Sequence, residues 1–491
     1  MEVPTGEPGG RAKFGLLAGP PLFAAMLLMA PPEGMSVLAW RTASVGVLMA
    51  VWWITEAIPI AATALLPLVL FPVLGVATVS ETTAPYANPV IYLFLGGFLL
   101  AIALESCGLH RRLALTILAV VGTRPANLIW GFMAGTAFIS MWVSNTATVV
   151  MMLPMATSVM LLARGEGAGA VEDAAVAARH RAFDVALLLG IAYAANIGGL
   201  GTLIGTPPNA LLAGFMSESY GIRIGFVEWM LLGVPLVAVS LPITWLLLTR
   251  VLHPVATDPV AGGANMLKEE RRALGPIARG EWTVGTITAL TATAWVTRPL
   301  FESWAPAITD TGIAIAGALL LFVVPLRWRP LRVAITWNQA ERLPWAVLIL
   351  FGGGLSLAAA IQSTGLADWI GTALGGLAGW PVFAVVVVVT TVVIFLTELT
   401  SNTATAAAFL PVVASLAVGI GADPMLLAIP TAIAASCAFM MPVATPPNAI
   451  VYGTGRLTIP QMASAGLWLN LFFVALIPVV VFLLATRIFG V

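Results

Sequence analysis

Two short polar motifs, each present twice, are the residues of this chain best suited to binding ions. Ser-Asn-Thr at 144–146 recurs at 401–403, and Thr-Pro-Pro-Asn-Ala at 206–210 recurs at 445–449. Hydroxyl and amide oxygens suit cations, whereas free backbone amides at a helix start attract anions. Polar groups left unpaired in apolar surroundings are unfavourable. The motifs therefore indicate a site for a small anion together with cations.

The proline motif predicts a helix broken at membrane depth. Two consecutive prolines remove two backbone donors and do not fit inside a regular helix, which leaves carbonyls free to coordinate a cation. Gly198, Gly199, Gly201 and Gly205 permit irregular backbone before the first copy, whereas 441–444 reads Met-Pro-Val-Ala before the second. A single copy would also fit a simple proline kink, and a single Ser-Asn-Thr would fit helix–helix hydrogen bonds. Two matched copies of each motif favour an ion-binding site over these alternatives.

The two halves of the chain align with each other as a repeat. Residues 93–158 match 350–415 at an offset of 257, and the proline motifs match at an offset of 239. An insertion near the loop 164–181 explains the change of offset. Duplication of one ancestral half is the economical explanation. If each half crosses the membrane an odd number of times, the two halves have opposite orientations in the membrane. Their substrate site is then expected near the membrane midplane, where they meet.

The composition indicates an all-α polytopic membrane protein. Of 491 residues, 60% are hydrophobic and 9% are charged, against roughly 25% charged residues in soluble domains. The formal net charge of zero argues against a nucleic-acid partner. Two apolar stretches, 126–163 and 382–418, are too long for one span and have polar centres, which predicts re-entrant hairpins. We expect a first span within 1–34, repeat halves at 35–250 and 283–491, and a cytoplasmic linker at 251–282.

The distribution of basic residues predicts a cytoplasmic N-terminus in a multi-pass inner-membrane protein. With the two hairpins entering from opposite sides, only four of the 22 basic residues lie outside the cell: Arg41, Arg223, Arg298 and Arg487. Such a bias toward the cytoplasm is the expected pattern for membrane proteins. No arginine or lysine is near either motif pair in the sequence. An anion there is therefore expected to depend on helix termini, hydroxyls, amides and co-bound cations.

The titratable residues do not suggest an enzyme. The two cysteines and three histidines lie far apart in the sequence, so they supply no obvious nucleophile, base or metal set. Glu398, three residues before Ser401, is the one acidic candidate for a proton relay. The first half has Met141 at the equivalent position, which favours a structural or tuning role for Glu398.

Taken together, the motifs resemble those of the divalent anion:sodium symporter family, in its di- and tricarboxylate branch, over nearly the whole chain. The resemblance implies an inverted-repeat transporter with about 11 transmembrane helices, two re-entrant hairpins, a homodimer in the lipid bilayer and an elevator mechanism. It also implies Na⁺ as the co-transported ion.

Carried over residue by residue, the resemblance implies two sodium sites and a substrate site between them. The first sodium site would use Ser140, Ser144, Asn145 and the carbonyl of Gly205. The second would use Thr397, Thr400 (through its backbone), Asn402 and the carbonyl of Ala444. The substrate carboxylates would contact residues from both halves: Asn145, Thr146, Thr206, Asn402, Thr403 and Pro446.

The function expected from these observations is sodium-coupled transport of C4-dicarboxylates such as succinate, malate or fumarate. A citrate or sulfate symporter and a dicarboxylate exchanger are the nearest alternatives. A cation/proton antiporter would require an acidic residue central to the site.

Overall fold

The computed structural model describes residues 10–164, 174–260, 262–329, 331–377 and 379–491. The described helices of the first half are α1 Gly10–Leu28, α2 Val37–Thr55, α3 Ile60–Thr63, α4 Leu66–Val73, α5 Val79–Thr83, α6 Pro89–Cys107, α7 Leu109–Val121, α8 Pro125–Ser140, α9 Asn145–Arg164, α10 Ala174–Gly199, α11 Pro207–Tyr220 and α12 Phe226–Leu246. Residues 1–9 of the predicted N-terminal segment and most of the predicted insertion, 165–173, lie outside the described residues.

The second half repeats this order after a short charged helix. Its helices are α13 Gly263–Ala273, α14 Arg279–Phe301, α15 Asp310–Val323, α16 Trp337–Ala340, α17 Trp345–Ser363, α18 Leu366–Ala373, α19 Val382–Thr397, α20 Asn402–Gly419, α21 Met425–Ala435, α22 Pro446–Tyr452, α23 Ile459–Val480 and α24 Thr486–Phe489. A two-stranded antiparallel sheet, β1 Pro325–Trp328 with β2 Leu331–Val333, connects α15 to α16. Apart from this short hairpin, the described residues confirm the predicted helical fold.

Eight helices in the described part of the chain are long and apolar enough to cross a membrane. Four shorter apolar segments accompany them, at Ile60–Val73, Asp310–Val323, Val382–Thr397 and Met425–Ala435. The count of about 11 crossings and the domain boundaries stay predictions. Within the predicted linker, α13 is a charged helix that packs against α7 and α9.

The two long apolar stretches each fold as a pair of helices joined at a polar tip. Helices α8 and α19 have 16 residues each, a rise of about 24 Å, which is less than the ~30 Å hydrocarbon core. Each is followed by a four-residue break and then by a helix that starts at the asparagine of the Ser-Asn-Thr motif. These lengths support the re-entrant prediction.

The repeat is visible in the helix boundaries. Helices α8 and α19 begin and end 257 residues apart, α9 and α20 begin 257 apart, and α11 and α22 begin 239 apart. The correspondence extends beyond the motifs, because α12 and α23 both continue into a π-helical turn, at Leu247–Leu252 and Val481–Ala485. The matched sequence segments therefore fold into matched structures.

The halves pack against each other through equivalent helices. Helix α22 contacts α9 and α10, and its counterpart α11 contacts α20 and α21. Glycines allow close approach at two matched positions: a Cβ on Gly233 would lie 2.4 Å from the carbonyl oxygen of Leu200, and one on Gly466 would lie 2.4 Å from the carbonyl carbon and oxygen of Phe439. Helices α12 and α23 thus support the broken segments that follow α10 and α21.

The predicted cytoplasmic side holds buried and exposed ion pairs. Arg112 on α7 donates to both carboxylate oxygens of Glu281, at 2.7 and 3.0 Å, and Glu281 also accepts from the Ala278 amide that precedes α14. Asp184 on α10 pairs with both Arg164 and Arg456, joining the ends of α9 and the loop after α22. These contacts fasten the charged ends of helices and lie outside the cavity described below.

Candidate functional site

Both Ser-Asn-Thr tips line a single cavity of about 930 Å³. The starts of α11 and α22 line it as well. All of the predicted substrate contacts lie in its wall: Asn145, Thr146, Thr206, Asn402, Thr403 and Pro446. Residues more than 250 positions apart in sequence are thus brought together in one place. Their roles in binding remain predictions.

The first predicted sodium site is built around Asn145. The Ser140 hydroxyl at the end of α8 lies 2.6 Å from Asn145 Oδ1 and 2.8 Å from the carbonyl oxygen of Ala195 on α10. A Cβ added at Gly199 would lie 3.0 Å from both Asn145 Oδ1 and the Gly205 carbonyl oxygen. The Ser140 hydroxyl has a single proton to donate to the oxygens around it. Such a concentration of lone pairs suits a cation.

The second predicted sodium site repeats the first. The Thr397 hydroxyl at the end of α19 lies 2.9 Å from Asn402 Oδ1 and 2.9 Å from the carbonyl oxygen of Ala435 on α21. Ala444 lines the cavity, as Gly205 does. The Thr400 hydroxyl bonds instead to Leu396 and Thr405, so a contribution from residue 400 would come from its backbone, as expected.

The asparagines of the proline motifs hold the broken helices in the same way in both halves. Asn209 Nδ2 donates to the carbonyls of Gly199 and Thr202, at 3.1 and 2.8 Å. Asn448 Nδ2 donates to Ala438 and Met441, at 3.2 and 3.1 Å. Each asparagine thereby ties the first turn of its helix to two carbonyls in, or next to, the preceding unwound segment and fixes the path of that segment.

A related pair of side-chain contacts crosses between the repeats beside the cavity. Asn196 Nδ2 on α10 donates to Thr445 Oγ1 at 3.1 Å, and the hydroxyls of Thr206 and Ser436 lie 3.3 Å apart. Thr206 is equivalent to Thr445 and Asn196 to Ser436, so the two contacts are related by the repeat. The threonine of each proline motif therefore joins its own half to the other.

The helices around the cavity differ in whether their first residues can donate amide protons to an anion. Helices α11 and α22 begin with two prolines, which have no amide proton to offer an anion. At α9, Ser144 Oγ accepts from the Ala147 amide at 3.3 Å, and α20 has no side-chain cap from Ser401. The amides of residues 145–146 and 402–403 head helices of 20 and 18 residues. They are the donors best placed for a carboxylate.

Sequence reasoning missed several residues of the wall. Glu56, Glu105 and Arg342 line the same cavity, so its wall includes a basic residue that lies far from the motifs in sequence. Arg342 is far from both motifs in sequence, and only folding of the loop before α17 brings it to the cavity. Asn196 was also missed, because it has no matching residue type at its repeat equivalent, Ser436.

Comparison with known proteins identifies the family. The model of the sodium:sulfate symporter transmembrane region matches residues 14–490. The chain belongs to this family. The prediction from the motifs is confirmed, and with it the expectation of Na⁺ as the coupled ion of such symporters.

Named relatives of the family are similar over nearly the full length. The chain is 42% identical over 481 residues to the sodium-dependent dicarboxylate transporter SdcS of Staphylococcus saprophyticus, covering 97% of this chain and 92% of that protein. It is 43% identical over 482 residues to SdcS of Staphylococcus aureus, with the same coverage.

Two solved structures share the fold at low sequence identity. The YdaH transporter of Alcanivorax borkumensis matches with a TM-score of 0.56 and 16% identity, covering 92% of this chain and 98% of that one. MtrF of Neisseria gonorrhoeae matches with a TM-score of 0.56 and 13% identity, covering 83% of this chain and 84% of that one. These likenesses concern the fold alone.

Proposed function

We propose that this protein is a sodium-coupled secondary transporter of C4-dicarboxylates such as succinate, malate and fumarate. The observation that carries the proposal is the convergence of both Ser-Asn-Thr tips on one cavity, each beside a mirrored set of hydroxyl, amide and carbonyl oxygens. The name of the SdcS relatives, sodium-dependent dicarboxylate transporter, supports the choice of ion and substrate class.

The chemistry of the cavity explains why substrate and cation would bind together. Two carboxylates brought into a low-dielectric site need nearby positive charge. The helix starts at residues 145 and 402 supply partial charges equivalent to about half an elementary charge each. Sodium ions on the asparagine oxygens would supply the rest. Binding of the anion would then be weak without sodium, which is the physical basis of coupling.

We further propose transport by an elevator motion in a homodimer of the inner membrane. The predicted substrate residues lie on or directly before α9, α11, α20 and α22; α9 packs on α22 and α11 packs on α20, so each pair joins the two halves, which supports movement of these helices as a unit. The cavity extends to Glu105 and Arg342, on the side that the basic-residue bias predicts to be cytoplasmic. With this orientation we infer an inward-facing state.

Uptake of radiolabelled succinate into proteoliposomes tests the proposed function. An inward sodium gradient should drive accumulation at least about tenfold above that in choline, since the cation is needed to neutralise the bound anion. Sulfate and citrate in excess should compete weakly, and malate and fumarate strongly. Uptake that requires succinate inside the vesicles would indicate an exchanger. Uptake driven by a proton gradient alone would contradict the proposal.

A further inference from the structure

Glu398 is a buried carboxylate held entirely by amides in the contacts that surround it. It follows α19 directly, and its two oxygens accept from three consecutive backbone amides, those of residues 439–441, at 2.7–3.0 Å. The side-chain amide of Asn470 on α23 donates to it at 2.8 Å. Glu398 is 3% exposed. So many donors on one carboxylate stabilise its charged form.

The Glu398 carboxylate accepts amide hydrogen bonds that helix carbonyls accept in the first half, where the helix is one turn longer. Ala195 and Ala435 occupy equivalent places, since each carbonyl lies against the hydroxyl that ends α8 or α19. Helix α10 continues to Gly199, whereas α21 ends at Ala435. In the first half the next amides, of residues 200 and 201, bond to carbonyls of α10. In the second half the equivalent amides, of residues 439 and 440, donate to the Glu398 carboxylate instead.

The segment that Glu398 holds supplies the second predicted sodium site. Residues 439–441 lead directly to Ala444, and Asn448 fixes the carbonyl of Met441 from the other side. Thr397, next to Glu398, bonds to Asn402. The unwound segment is therefore clamped between the hairpin tip and the proline motif. The first half has no equivalent charge, because Met141 occupies that position.

We propose that Glu398 is a positioning residue that holds the unwound segment 436–445 in its cation-binding form and makes the second sodium site the tighter of the two. This inference rests on the proposed sodium sites. A fixed negative charge near one cation site and absent from the other strengthens that site through space, and the amide bonds keep its carbonyls in place. In this role Glu398 carries no proton across the membrane.

The sodium dependence of uptake gives the first readout. Glu398→Gln keeps the shape but loses the charge and one acceptor, so the sodium concentration for half-maximal succinate uptake should rise about tenfold, equivalent to about 1.4 kcal/mol. Uptake at saturating sodium should stay within about threefold of wild type, since the substrate contacts are intact. Asn470→Ala removes one donor only and should give a smaller rise in the same direction. Glu281→Gln, at a buried carboxylate outside the cavity, is the matched control and should leave sodium dependence unchanged.

Cys437 provides a second readout that a general loss of stability would not reproduce. It lies fully buried within the unwound segment, and Cys107 is the other cysteine. In a Cys107→Ser background, Glu398→Gln should speed alkylation of Cys437 about tenfold without sodium, through local opening, and saturating sodium should restore protection. Glu281→Gln should not change this rate at temperatures below its unfolding.

The outcomes separate this inference from the proposed function. Unchanged sodium dependence and unchanged Cys437 labelling in both Glu398→Gln and Asn470→Ala would overturn the positioning role. Loss of uptake at every sodium concentration with normal sodium protection of Cys437 would also overturn it, and would indicate a proton carrier. If wild-type uptake itself proved independent of sodium, the proposed function would fail first.

Discussion

Alanine at Asn145 or at Asn402 is expected to reduce sodium-driven succinate uptake by about 100-fold or more. Each asparagine is the side chain shared by a predicted sodium site and the substrate site, and each lies against the hydroxyl that ends its hairpin helix. Loss of an outer-shell partner alone lowers metal affinity by about 10–100-fold, and these side chains are predicted to be direct ligands. Proteoliposome uptake is the measurement.

Folding must be shown to survive in these variants. Asn127→Ala is the matched control, because Asn127 is exposed near the start of α8, donates to the Val121 carbonyl and lies outside the cavity wall. All three variants should elute as the same folded species on gel filtration. Near-normal uptake by either cavity variant would show that the two tips do not form the site.

A methyl group at Gly205 should have the second-largest effect. Its Cβ would lie 2.4 Å from the carbonyl oxygen of Gly199, a backbone atom that cannot move aside without opening the first predicted sodium site. Overpacking of this kind typically costs about 1–3 kcal/mol, and here it would push apart Gly199 and Gly205, whose carbonyl is a predicted ligand. We expect Gly205→Ala to raise the sodium concentration needed for uptake by at least about tenfold.

Two comparisons sharpen the Gly205 experiment. Gly376→Ala places a methyl where no heavy atom lies within 4 Å, and it should be indistinguishable from wild type. The second half has Ala444 at the position equivalent to Gly205, so the requirement for glycine belongs to the local packing of the first half. Normal sodium dependence in Gly205→Ala would remove Gly205 from the site.

The sequence pointed to residues of the cavity wall where polar residues interrupt an apolar stretch in both halves. Ser-Asn-Thr and Thr-Pro-Pro-Asn stand out for that reason, and their repetition predicts that the two copies meet. Ser140 and Thr397 were found only through the resemblance, yet they prove to be equivalent in structure. The helix pairs at 125–164 and 382–419 were also visible, because an apolar stretch too long for one span must break at its polar residues.

What the sequence did not reveal are contacts made by backbone atoms or by residues without a repeated partner. The carbonyls of Ala195 and Ala435 belong to the backbone, so the residue types at these positions do not indicate their role. Arg342 reaches the cavity through the fold of a loop. The amides that surround Glu398 were hidden because they depend on α21 ending one turn earlier than α10, a difference in helix length that residue types alone do not specify.

Whether the two tips form one binding site can be seen in a cryo-electron microscopy structure of the protein in lipid nanodiscs with sodium and succinate. We expect density for the dicarboxylate between Asn145 and Asn402, flanked by one sodium ion near Ser140 and Gly205 and another near Thr397 and Ala444. Both ion densities should disappear, along with the substrate, when choline replaces sodium. Succinate bound elsewhere in the protein, or bound between the tips equally well in choline, would contradict this expectation.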